Sequence, residues 1–222
     1  MLQHIELSAD SDCPAKTGQT ESALYGRNGQ QITQDGCPVK RRDDGAATVR
    51  RLTRIVVVRS VHDRRKGFLI AGSAAFPCAL GRSGVVVAKR EGDGGTPRAR
   101  LPLRRVFYRA DRLPRPSSLL PVRAITPRDA WCDDQADRRY NRLIDRPPGE
   151  AQERLARADN LYDVIVELGW NDAPVRRGRG SAIFWHLARP GFTPTAGCVA
   201  VTAEIFGKVL PRLARRCAIV VR

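Results

Sequence analysis

From Leu52 onward the apolar residues of this chain come in short runs, and glycine, proline or a knot of charges interrupts each one. Ile55–Val58, Gly67–Ala71, Phe76–Leu80, Val85–Ala88, Leu101–Tyr108, Leu161–Leu168, Ser181–Leu187 and Ala218–Val221 are such runs, rich in β-branched and aromatic side chains. Runs of this length, bounded by turn residues, predict strands rather than helices. A helix is expected only where Thr202 can cap a segment that puts Ile205, Phe206, Val209, Leu210 and Leu213 on one face. A second short one is expected over Glu150–Ala158. The fold class expected is all-β, a sandwich or barrel with one or two short helices. No run approaches the roughly 18–20 apolar residues of a membrane-spanning helix, so no transmembrane segment is expected.

The first 50 residues read differently. They are rich in Gly, Gln, Asp, Ser and Thr, show no apolar periodicity and contain neither a basic-then-apolar export signal nor a core. Residues 1–50 are therefore expected to be a flexible or non-core extension, and 51–222 the folded domain. Charge changes at the same boundary. The extension holds 6 basic and 7 acidic side chains, whereas 51–222 holds 33 basic and 16 acidic. A domain this basic attracts polyanions. No arginine-rich helix, finger or RNA-binding signature accompanies the charge, so sequence-specific nucleic-acid recognition is not expected.

Six cysteines occur, with no paired spacing for zinc and no density for a disulfide scaffold. Neither a metal nor a cofactor is expected. One cysteine stands apart through its neighbours. Ser181-Ala-Ile-Phe-Trp-His186 ends an apolar run on a histidine, and Pro194-Thr-Ala-Gly-Cys198 places a cysteine after glycine in a turn of small residues. A thiol attacks a carbonyl as thiolate, so it needs a base, and imidazole titrates in the right range. The tetrahedral oxyanion then needs aimed donors, which backbone N–H groups at Gly197 and Cys198 can supply. A backbone carbonyl such as that of Leu187 can hold the second imidazole nitrogen. His4 lies in the extension and His62 in a charged turn, so His186 is the available partner. Spacing alone leaves open a plainer reading: a buried cysteine and a hydrogen-bonded structural histidine. Lys89–Pro97 lacks the Gly-Lys-Ser/Thr ending of a phosphate loop and is expected to form a tight turn beside the substrate groove. Trp131, Tyr140 and Trp170 fit either a groove floor or the core.

The His186 and Gly197-Cys198 segment is similar to the signature of L,D-transpeptidase (YkuD-type) catalytic domains. Lys89-Arg-Glu-Gly-Asp-Gly-Gly-Thr-Pro97, Trp131-Cys-Asp-Asp134, Tyr140-Asn141 and Gly178-Arg-Gly-Ser181 add to the resemblance, which runs from about Leu52 to Arg222. Two positions depart from it: Ala196 stands where the family carries histidine, and Ala200-Val201 replace a polar residue after the cysteine. The resemblance implies Cys198 as nucleophile and His186 as base, with Gly197 and Leu187 serving through their backbones. Ser181, Thr195, Ala196 and Trp185 are the substrate-binding candidates around them, although Trp185 and Tyr162 also suit the core. It further implies a peptidoglycan stem peptide as donor, a thioester intermediate, and an amine as acceptor. With water instead, the same site is an L,D-carboxypeptidase or amidase. A β-lactam (carbapenem) adduct and a periplasmic or cell-envelope location are implied as well. The alternative from another class is a non-catalytic basic module that binds an anionic polymer. Of the six cysteines, Cys198 is expected to be the most reactive at neutral pH.

Overall fold

The computed structural model describes residues 51–146 and 152–222, together with the short strands Leu24–Tyr25 and Gln31–Ile32. The chain divides into two compact units, Met1–Thr48 and Val49–Arg222. In the first, Leu24–Tyr25 pairs antiparallel with Gln31–Ile32. The rest of the expected 1–50 extension lies outside the described residues.

In the second unit nine strands form one sheet: β1 (Leu52–Arg59), β2 (Lys66–Ala71), β3 (Ala74–Ala79), β4 (Arg100–Tyr108), β5 (Val122–Ala124), β6 (Val164–Leu168), β7 (Phe184–Leu187), β8 (Val199–Val201) and β9 (Leu213–Val221). The order is β6-β7-β8-β3-β2-β1-β9-β4-β5, and β4 also pairs with β6. That last pairing closes the sheet into a barrel, which leaves few edges to aggregate. Alternation along the strands decides what lies inside. Ile55 and Val57 of β1, Leu69 and Ala71 of β2, Trp185 of β7, Val199 and Val201 of β8, and Ile219 and Val221 of β9 join one buried cluster. Each large aliphatic side chain so buried contributes about 1.5–3 kcal/mol relative to exposure. Surface ion pairs contribute about 0–1 kcal/mol each, so the closed interior, not the many arginine–carboxylate pairs, holds the barrel together.

The helix α1 (Ala203–Val209) follows β8, capped where expected: the Thr202 hydroxyl accepts the N–H of Ile205. Its Ile205, Phe206 and Val209 are buried in the barrel cluster, with Phe206 stacked on Trp185 at 4.2 Å between ring centroids. The helix expected over Glu150–Ala158 does not form in its described part. Gln152–Arg154 is instead an edge strand that pairs with Asp129–Cys132, which pairs on its other side with Arg142–Asp145. Helix-favouring Glu, Arg and Leu are overridden here because extended pairing sends Leu155 into a fully buried position. This three-stranded sheet covers the outer face of β6 and β7. Trp131 from it meets Phe184 of β7 edge-on at 5.1 Å, and both join Tyr162, Ile165 and Cys198 in a second apolar cluster. Trp131 and Tyr140 are therefore core residues rather than a groove floor. The expected strand Val85–Ala88 shortens to Val85–Val86, paired with Thr96–Pro97.

Candidate active site

Two adjacent parallel strands position the site. β7 and β8 pair in the register Trp185↔Val199, His186↔Ala200 and Leu187↔Val201. Trp185, Leu187, Val199 and Val201 fill the barrel, so His186 and Ala200 point outward, and Cys198, one residue before β8, belongs to the outer cluster beneath the covering sheet. Cys198 and His186 both line one pocket of about 190 Å³, with Tyr162, Glu153, Arg157, Arg189, Ala200 and the turn Thr193–Ala196.

The imidazole is fixed from behind. His186 Nδ1 lies 2.8 Å from the carbonyl oxygen of Leu187, and the Leu187 N–H donates to Leu161 at 3.1 Å. A carbonyl only accepts, so Nδ1 carries the proton and Nε2 is the basic nitrogen of the neutral ring. Tyr162 meets the ring edge-on at 5.4 Å between centroids. Burial lowers the His186 pKa to about 4, against the opposing pull of the Leu187 carbonyl. At pH 7 the ring is neutral and free to accept a proton.

At rest, burial opposes ionisation of the Cys198 thiol. Burial pushes the Cys198 pKa up to about 12, more than the Phe184 N–H can offset. Its Sγ accepts that N–H at 3.3 Å and donates to the carbonyl of Ala182 at 3.3 Å. Among the described residues no hydrogen bond joins thiol and imidazole. The resting pair is therefore neutral thiol beside neutral imidazole, not an ion pair. Burial likewise raises Cys78 to about 12 and Cys217 to about 11, so ionisation does not single out Cys198.

The turn before Cys198 is braced by threonine hydroxyls. Thr195 Oγ1 donates to the Cys198 carbonyl at 2.8 Å and accepts the Gly197 N–H at 3.1 Å. Thr96 Oγ1 adds a longer contact to the same carbonyl, 3.4 Å, and accepts the Gly81 N–H at 2.9 Å. The Gly197 N–H expected to face an oxyanion is thus occupied at rest. Gly197 has φ +141°, and a Cβ there would lie 2.8 Å from the Gly95 carbonyl oxygen, so only glycine lets the two loops touch. The glycine-rich segment serves as a buttress behind the Cys198 turn.

The remaining candidates divide. Thr195 and Ala196 line the pocket. Trp185 is fully buried inside the barrel and does not. Ser181 donates to Glu91 Oε2 at 2.7 Å, and Tyr140 donates to the same oxygen, which ties Ser181 into a buried network away from the pocket lining. Asn141, noted in the sequence only as part of the resemblance, has a role that the sequence did not assign. It is 3% exposed and uses its whole side chain. Oδ1 accepts from Trp131 Nε1 at 2.9 Å and from the Ala182 N–H at 3.2 Å. Nδ2 donates to the carbonyls of Trp170 and Asn171 at 2.9 and 2.8 Å. Ala182 has φ +51°, a left-handed conformation uncommon for alanine, and it is the carbonyl of this residue that takes the Cys198 S–H. Also missed were Glu153, Arg157 and Arg189 at the rim. Arg157 pairs with Glu153 at 3.0 Å and Asp159 at 2.7 Å, and lies 5.1 Å over the Tyr162 ring.

His186 in β7 and Cys198 just before β8 face one pocket, and residues 53–221 match YkuD, the L,D-transpeptidase catalytic domain. The chain belongs to the YkuD family. YkuD domains are enzymes of the L,D-transpeptidase kind, which act on peptidoglycan peptides. No curated protein and no solved structure matches the chain significantly. The YkuD match covers the barrel, the covering sheet and both strands that carry His186 and Cys198, and among the described residues no helix is long and apolar enough to cross a membrane.

Proposed function

We propose that this YkuD domain forms a thioester between Cys198 and a peptidoglycan stem peptide and passes the acyl group to an amine. Sγ attacks the carbonyl that precedes the D-residue, and its proton moves to His186 Nε2. Collapse of the tetrahedral intermediate breaks the C–N bond, and the same proton leaves with the amine of the departing D-residue. A second amine then attacks the thioester and expels the thiol in its turn. The observation that carries this reading is the orientation of the imidazole: its Nδ1 is held by the Leu187 carbonyl, so Nε2 is left as the proton acceptor in the pocket it shares with the Cys198 thiol. The Gly197 N–H would exchange its Thr195 partner for the developing oxyanion. The envelope is the compartment where a peptidoglycan stem peptide is met.

The test is acylation. Intact-mass measurement after incubation with a carbapenem should add one equivalent on Cys198, and a tetrapeptide stem with an amine acceptor should release its terminal D-residue. Cys198→Ala should abolish both. His186→Ala, corrected for folded fraction by circular dichroism, should lose about 10²–10⁴ in acylation rate. A fully folded His186→Ala protein that acylates at the wild-type rate refutes the base role. Release of the D-residue with no amine incorporated would assign the carboxypeptidase variant, in which water is the acceptor.

A further inference from the structure

The excess positive charge is not spread evenly. Eleven arginines are paired with carboxylates among the described residues: Arg65, Arg104, Arg105, Arg109, Arg112, Arg123, Arg128, Arg139, Arg146, Arg157 and Arg189. A different set converges on the outer face of β1 and β9. Arg51, Arg54, Arg100, Arg212 and Arg216 line a concavity of about 700 Å³; among the described residues no acidic side chain lines it and none of the five is ion-paired. The topology builds it. The cross-strand row Ile70–Val56–Val220–Arg100 runs over the outside of β2, β1, β9 and β4, and Val56 and Ile70 form an apolar floor with Arg100 at one end. The pairing of β9 with β1 slips between Leu213 and Ala218, and Arg216 stands in that bulge. Arg51 donates to the Pro211 carbonyl, and a Cβ on Gly72 would sit 3.4 Å from Arg212 Nη2, so both guanidinium groups are drawn in over the same hollow. Five like charges around one concavity repel each other unless an anion joins them.

We propose that this hollow binds a ligand with several closely spaced phosphate groups. Guanidinium groups match phosphate oxygens in paired hydrogen bonds, and a single small anion leaves most of 700 Å³ and most of the five arginines unused. The site is separate from the cleft. In the closed ring β3 and β2 lie between β8 and β1, and β6 and β4 lie between β7 and β9. A ligand here tethers or concentrates the domain on a polyanion without covering Cys198.

The experiment uses the full chain and inorganic tripolyphosphate. Calorimetric titration at low salt should give one equivalent per chain, with affinity that weakens as salt rises, and the ligand should raise the melting temperature of the wild type. Arg54→Gln with Arg216→Gln should weaken binding about tenfold or more, while the melting temperature without ligand holds or rises as repulsion is relieved. Arg176→Gln with Arg177→Gln, two exposed and unpaired arginines elsewhere, is the control and should bind as the wild type does. Absence of one-to-one binding, or an equal loss in both double variants, overturns the proposal and assigns any attraction to diffuse charge. Acylation should be the same in all three proteins, so the outcome here is read independently of the cysteine chemistry.

Discussion

Acidification separates a buried neutral base from an ordinary histidine. If His186 titrated near 6.5, lowering the pH from 7 to 5 would leave only about 3% of it neutral, and acylation through it would fall about 25-fold. With the pKa near 4, about nine-tenths of the ring remains neutral at pH 5, so the rate should hold within a factor of two and reach half only near pH 4. The quantity to measure is the second-order rate of acyl-enzyme formation at low donor concentration, because its pH dependence reports the free enzyme. Intact mass at timed quenches gives that rate, and circular dichroism at each pH supplies the folded fraction. A profile with its acid midpoint near 6.5 would refute the reasoning. It would mean that the imidazole is solvated or ion-paired in the working enzyme, and that the neutral resting pair is not the reacting state.

The same depressed pKa should appear in stability. The unfolded chain takes up a proton on His186 near 6.5 and the folded chain only near 4, so stability present above 6.5 is lost as the pH falls between these values, by about 3 kcal/mol in all. Denaturant unfolding at pH 7 and pH 4 should give this as the difference between wild type and His186→Gln; parallel losses in the two would count against it. Alkylation of Cys198 by iodoacetamide should accelerate about tenfold per pH unit from 7 to 9 without a plateau, and a plateau below pH 8 would reveal a stabilised thiolate. Asn141→Ala strands Trp131 Nε1, the Ala182 N–H and two carbonyls. It should cost about 3–5 kcal/mol in chemical denaturation and slow acylation of the protein that remains folded, because the peptide holding the thiol loses its anchor.

The sequence carried the barrel because its strands are buried on at least one face and read as β-branched runs: Ile55–Val58 and Val164–Val166 announce themselves. It carried the Thr202 cap for the same local reason. Where pairing depends on a distant partner the signal fades. Gln152–Arg154 looks helical in isolation and is a strand only because Asp129–Cys132 lies beside it. Strand β7 begins at Phe184 rather than Ser181 because Ala182 turns left-handed, and no residue type marks that. Of the site, a cysteine after glycine and a histidine ending a strand were legible because their chemistry is rare and their positions are local. The rim residues Glu153, Arg157 and Arg189, and the four-bond role of Asn141, come from the covering sheet's edge strand and the loops it brings together. Their charges look like any other solvated surface in a chain with this many arginines. The state of the thiol was not legible at all, because burial by Trp131, Phe184 and Tyr162 sets it and those contacts are made in three dimensions.

A thiol that rests protonated under an aromatic cover is chemically quiet. With its pKa near 12, roughly one molecule in 10⁵ carries a thiolate at pH 7. Peroxides, metal ions and stray disulfides all react through that form, and the described free cysteines, Cys78, Cys132 and Cys217, are buried as well. In the proposed reaction it is the arrival of a carbonyl within reach of both Sγ and the imidazole that draws the proton off the sulfur, so the acyl donor itself sets when Cys198 reacts.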